Sequence, residues 1–166
     1  KIDVSAPGVG ILSLRASDTD MYGDGTHIVG ERYYWSQGTS MACPHAAGVA
    51  ALILSKHPEF TNEELRHILK ITADDIEKPG DGIYFGSGRI NAFRAASTDQ
   101  IGLMAWISGP ISRPSDPLSG NVQIQGYAQG INFSRYELYC GKAKDPIEWS
   151  LIFESEKPVR NDILAG

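Results

Sequence analysis

Ser40 stands where a serine hydroxyl could act as a nucleophile. It opens an apolar stretch within Gly38-Thr39-Ser40-Met41-Ala42-Cys43-Pro44-His45-Ala46-Ala47-Gly48. An activated serine needs an exposed hydroxyl, a base beside it and donors for the oxyanion. The first turn of a helix supplies part of this, because its backbone N–H groups are free and its dipole favours negative charge. Gly38 lets a substrate backbone approach closely, and Gly38 and Thr39 are the candidate substrate-binding positions. Ala42, Ala46, Ala47 and Gly48 are small enough for close packing beneath such a site. As a plain helix cap without chemistry, Ser40 fits equally well. The residues by themselves leave both readings open.

Other clusters carry less. Asp18, Asp20 and Asp24 share a loop with Gly23 and Gly25, and oxygen ligands so spaced could bind calcium. The twelfth position counted from Asp18 is Val29, not the bidentate glutamate of an EF-hand loop, so a solvated acidic loop is expected. No cofactor is expected, with calcium as the alternative. Cys43 and Cys140 are too few for a disulfide framework or a structural zinc site and read as free thiols. The net charge of -5 and the lack of a Lys/Arg cluster argue against a nucleic-acid partner. No apolar run reaches the roughly 18–20 residues that span a bilayer. The chain opens on Lys1-Ile2-Asp3-Val4, as if in mid-protein, and is read as a fragment or a processed product.

The elements that must hold Ser40 follow from pattern. Val9–Leu14 reads as strand-like after an Ala6-Pro7-Gly8 turn, and residues 15–35 as a polar loop or hairpin. Residues 40–57 read as one helix with Ser40 at its cap and Pro44 in its first turn. It is apolar all round, which predicts burial on every side. His57-Pro58 stops it. Thr61-Asn62-Glu63-Glu64 is a capping box, opening a helix whose inner face carries Leu65, Ile68, Leu69 and Thr72. A loop with Pro79, Gly80 and Gly82 leads to a short helix near Asn91–Ala96. From about residues 97–101 the character changes to short alternating runs: Met104–Ser108, Asn121–Ala128, Tyr136–Cys140 and Trp149–Glu154. These predict a small β-sandwich over 98–166, after an α/β part over 1–97. Phe133, Tyr136 and Trp149 are expected in its core.

The run from Gly38 to Gly48 resembles the active-site serine signature of the subtilisin-like serine proteases. Asp3-Val4-Ser5-Ala6-Pro7-Gly8 with Ile11-Leu12-Ser13 resembles the strand and turn before that signature. His57-Pro58 and the Thr61–Thr72 helix resemble the helices after it, and Gly86-Ser87-Gly88-Arg89-Ile90-Asn91-Ala92 the close of the catalytic domain. The resemblance covers about residues 1–97. It implies the last part of a parallel α/β sheet, with Ser40 as nucleophile and its own backbone N–H as one oxyanion donor. In the family's order of Asp, His, Ser, the acid and base would lie upstream of residue 1, in a missing N-terminal part of the domain. It further implies an extracellular endopeptidase acting on protein or peptide, and an inactive fragment. The alternatives are an inactive homologue, or a binding β-module on a protease remnant. His45 takes a packing role by the same resemblance. His27, in Asp24-Gly25-Thr26-His27-Ile28-Val29-Gly30, resembles the family's histidine box, but Asp24 occupies the catalytic position, and the match is read as coincidence.

Overall fold

Thr61 and Glu64 close the loop that their spacing predicts. In the computed structural model, which describes residues 2–76, 82–110, 118–142 and 146–166, the Thr61 hydroxyl accepts from the Glu64 N–H. The Glu64 carboxylate in turn accepts from the Thr61 N–H at 2.8 Å and from its hydroxyl at 3.0 Å. The helix so started, α2 (Asn62–Ile71), buries Ile68 completely and Thr72 just beyond it. It packs against α1 (Thr39–Lys56) and α4 (Ala92–Ala96), so that Val49, Ile53, Ile68 and Ala95 form the core. Phe60, Leu65, Leu69 and Ile90 flank it. The loop predicted around Pro79 and Gly80 lies outside the described residues, and Gly82 opens the short helix α3 (Gly82–Phe85).

These elements belong to the first of two compact units, Lys1–Thr98 and Asp99–Gly166. The first unit also holds β1 (Ile11–Leu14), β2 (Ile28–Val29) and β3 (Tyr33–Ser36), in the order β1-β3-β2 with every pairing antiparallel. The expected parallel sheet is represented among the described residues by one parallel bridge, Ser5 to Arg89. That bridge explains the Gly86-Ser87-Gly88 run. The segment threads between two other stretches: Ser5 donates to the Gly88 carbonyl, Ile90 to that of Ser5, and Asp74 and Arg89 exchange both bonds. A Cβ on Gly88 would lie 2.1 Å from the Asp74 oxygen, and one on Gly86 2.5 Å from that of Asp3. Asp74 then binds the side chains of Arg89, Arg94 and Asn91. The Asn91 amide first, and Arg89 next, hold its carboxyl below the ordinary value.

α1 departs from the predicted burial on every side. Val49 and Ile53 are buried, whereas Leu52 is 53% exposed and Ala47, Gly48 and Ala51 face outward. The described residues pack on one flank of the helix only.

The second unit carries β4 (Met104–Gly109), β5 (Ile124–Gln129), β6 (Tyr136–Gly141), β7 (Trp149–Ser155) and β8 (Val159–Ala165). They form two antiparallel sheets, β4-β5-β8 and β6-β7. Met104, Tyr127, Ala128 and Leu164 are buried, and the Tyr136 hydroxyl donates to the Leu164 carbonyl at 2.7 Å. Phe133 and Tyr136, expected in the core, are only partly buried. Trp149 is not buried: it is 59% exposed on the two-stranded β6-β7 sheet. Alternation tells which side chains share a face, but not which face is covered. Cys43 and Cys140 are exposed free thiols, one in each unit. No described helix is long and apolar enough to cross a membrane.

Candidate functional site

The N-terminus of α1 is set by glycines. Gly38 is the N-cap, with φ 136° and ψ 170°, a conformation that essentially only glycine adopts. Its N–H donates to the Gly8 carbonyl at 2.7 Å. Gly8 approaches so closely that a Cβ there would meet the Gly38 oxygen at 2.8 Å and the Ala42 Cβ at 3.2 Å. Gly8 therefore fixes where the helix starts; the turn expected at Ala6-Pro7-Gly8 is instead a bend at Val9 and Gly10. Nothing in the local sequence around Gly8 announces this role.

Ser40 is consequently not the cap, as its residue type suggested, but the second helical residue. The backbone turn that a capping side chain would secure is made by Gly38, whose carbonyl accepts from Met41 and Ala42. The Ser40 hydroxyl is left exposed, and among the described residues no side chain or backbone group bonds to it. The Ser40 N–H is likewise without an acceptor among the described residues. Pro44, expected in the first turn, is the sixth helical residue and supplies no N–H to the Ser40 carbonyl four positions back. Thr39 and Gly38 are exposed beside Ser40.

A cavity of about 500 Å³ opens against Ser40. Leu12, Leu14, Met41 and Pro44 form much of its wall, with Arg15 and His45 also on it. The His45 ring is exposed, not packed as the resemblance implied, and its Nδ1 donates to the Met41 carbonyl at 2.8 Å, one turn back on its own helix. Met41 receives a weak bond from the Ser36 hydroxyl, which also meets the Tyr22 hydroxyl at 3.2 Å.

The acidic loop is tied into the hairpin beside this cavity. Asp20 accepts from the Gly25 N–H at 2.8 Å, the Tyr34 hydroxyl at 2.8 Å and the Tyr22 N–H at 3.2 Å. The Gly25 N–H first, then the Tyr34 hydroxyl, lowers its carboxyl to about 2. Asp24 accepts from the Thr26 N–H and hydroxyl, and both lower it. Burial, then the bond to Asp20, pushes the Tyr34 hydroxyl up. His27 packs against the rings of Tyr22 and Tyr34, which also meet each other, and does not line the cavity at Ser40. Asp20 is thus bonded to its own loop and to Tyr34 of β3, and Asp24 to Thr26. Among the described residues no three His, Cys, Asp or Glu side chains gather as a metal site.

The family model described as the subtilase family matches residues 1–88, more than half of the chain. The chain belongs to the subtilase family. This subtilase chain is 44% identical over 96 residues to subtilisin E from Bacillus subtilis (strain 168), covering 58% of this chain and 21% of that relative. It is 42% identical over 95 residues to the serine protease AprX of the same organism, covering 55% and 21%. It is 43% identical over 96 residues to a thermophilic serine proteinase from Bacillus sp. (strain AK1), covering 58% and 20%. The subtilase chain therefore spans about a fifth of the length of these relatives. Among solved structures, fervidolysin from Fervidobacterium pennivorans is 33% identical, with 55% of this chain and 14% of that one covered and a TM-score of 0.46.

Proposed function

We propose that Ser40 is the nucleophile of a subtilisin-like serine endopeptidase. The observation that carries this is the uncommitted state of both its reactive groups: an exposed hydroxyl and a free backbone N–H on the first turn of an 18-residue helix. Its Oγ attacks the carbonyl carbon of a peptide bond and gives its proton to a base. The carbonyl oxygen takes the electron pair and sits against the Ser40 N–H, where the helix dipole stabilises it. Collapse breaks the C–N bond, and the protonated base gives its proton to the departing amine. Water then attacks the acyl-enzyme by the same route and releases Ser40. Gly38 and Thr39 line the path of the substrate backbone.

The base and its orienting acid come from sequence upstream of residue 1. The family's order of Asp, His, Ser supports this reading. Residues 1–97 act as the last part of the catalytic domain and 98–166 as a β-sandwich accessory module. The substrates are proteins or peptides met outside the cell, as the family resemblance suggests.

The test uses a fluorophosphonate probe, which labels only an activated serine. The full-length gene product carrying this chain labels at Ser40, and Ser40→Ala abolishes both labelling and peptide cleavage. The 166-residue chain alone does not label. Rapid labelling of the isolated chain, or labelling of full-length protein at another serine, overturns the reading.

A further inference from the structure

We infer that Arg15 makes the cavity beside Ser40 a subsite for an acidic substrate side chain, glutamate above all. The inference rests on Ser40 being the nucleophile and names a substrate class for that site. The cavity falls in the size range that takes small ligands and side chains. Leu12, Leu14, Met41 and Pro44 give it an apolar wall suited to a methylene stem. Arg15 is the arginine on that wall, and no lysine, aspartate or glutamate lines it.

The guanidinium is pinned in place. Its Nε donates to the Thr19 carbonyl, and one Nη donates to that of Glu31 at 3.1 Å. Arg15 thereby spans the two arms of the hairpin, and most of its five N–H donors remain for a ligand. Among the described residues no carboxylate pairs with it. Arg66, Arg89, Arg94 and Arg135 are each paired with an Asp or Glu. Asp20 accepts from Gly25, Tyr22 and Tyr34, and Asp24 from Thr26, so neither bonds to Arg15. A fixed guanidinium sharing a wall with Leu12, Leu14, Met41 and Pro44 matches a carboxylate at the end of an aliphatic stem. A purely apolar side chain would leave that cation without a partner.

The test compares peptides that differ only at residues flanking the scissile bond, bearing Glu, Gln, Leu or Lys in turn. With the full-length protein, one flanking position shows kcat/KM about tenfold or more higher for Glu than for Gln, the scale of a charge-assisted hydrogen bond. Arg15→Gln brings the ratio of kcat/KM for Glu over Gln down to about one, and Arg15→Glu shifts the preference to Lys. Equal loss for all peptides in Arg15→Gln means that Arg15 only braces the hairpin, and overturns the inference. So does a preference for Leu, or no preference for Glu at any position. A second measurement separates this from failure of the Ser40 reading. In Ser40→Ala protein, calorimetry with the Glu peptide shows binding that weakens at least severalfold with added Arg15→Gln, and unaltered binding refutes the subsite whether or not Ser40 is the nucleophile.

Discussion

Replacing Gly38 and Gly48 in turn by alanine should move the stability of the first unit in opposite directions. Gly38 caps α1 at φ 136° and ψ 170°, and alanine held there carries a strain of about 1–3 kcal/mol. Space is not the issue, since the nearest atoms to an added Cβ, the Met41 Sδ and the Ser40 N, are 3.9 Å away. The strain is all backbone. Alanine also restricts the unfolded chain, offsetting about 0.4–1 kcal/mol, so a net loss of about 1–2 kcal/mol remains. Gly48 sits within α1 with nothing within 4 Å of its would-be Cβ. Alanine there stabilises by about 0.5–1 kcal/mol. The four helices among the described residues lie in the first unit, so urea denaturation followed by circular dichroism at 222 nm, a helix signal, reports on that unit. In a domain of this size each kcal/mol is about 4–8 °C in Tm, so the two variants should separate clearly. In the full-length protein Gly38→Ala should also slow fluorophosphonate labelling of Ser40, because relief of the strain moves the helix start, whereas Gly48→Ala leaves it alone. A Gly38→Ala variant as stable and as reactive as the parent would refute the claim that this glycine conformation mounts Ser40.

Thr61→Ala should destabilise the same unit by about 1 kcal/mol in the urea assay, since it removes the hydroxyl half of the capping box, and Thr61→Ser should restore most of it. Gly88→Ala should cost more than the ~1–3 kcal/mol of backbone strain, because its φ of 107° is compounded by the 2.1 Å approach to the Asp74 oxygen; loss of the cooperative transition or of helix signal checks it. Asp20 should titrate at about 2 by carboxyl-carbon NMR, against an ordinary 3.8. Its folded value is depressed, so its contribution to the hairpin is complete above about pH 4 and fades as pH falls towards 2. Tyr34→Phe, by removing one of its donors, should raise that midpoint, and a midpoint that stays put contradicts the hydrogen-bond account.

Much of the first unit was legible because its signals are local. The capping box at Thr61 and Glu64, the stop at His57-Pro58 and the inner face of α2 depend on residues within one or two turns of one another. The start of α1 was missed by a small register, and the cause is physical. Serine is a favoured cap, and nothing local distinguishes a serine at the cap from one two residues on. What decides is Gly8, thirty residues upstream, whose carbonyl receives the Gly38 N–H. The even apolarity of α1 gave no hint that Leu52 stays exposed, just as the alternation of β7 gave none that Trp149 does. Burial depends on what another element brings to a face, and that information is not carried by the face itself. Arg15 escaped notice for a related reason, since its importance lies in the wall it shares with Ser40 across the hairpin.

These long-range constraints share one design. In the first unit, Gly8, Gly86 and Gly88 mark places where two backbone segments approach more closely than any side chain permits. Gly8 meets Gly38, Gly86 meets Asp3, and Gly88 meets Asp74. The stretch from Asp3 to Gly8 takes part in two of the three contacts: through Asp3 and Ser5 it is bonded to the segment that closes the first unit, and through Gly8 to the head of α1. Asp3 is also bound by Arg66 of α2 at 2.9 Å. The position of Ser40 is thus referred to the rest of the unit through backbone contacts, which have few ways to relax, instead of through a capping side chain. That leaves the hydroxyl of Ser40 uncommitted, which a nucleophile requires, and it moves the burden of placement onto glycines with no reactive chemistry of their own. Substitutions at Gly8 should accordingly depress Ser40 reactivity in the full-length protein more than substitutions at Cys43 or His45, although Gly8 lies far from Ser40 in sequence and the other two share its helix.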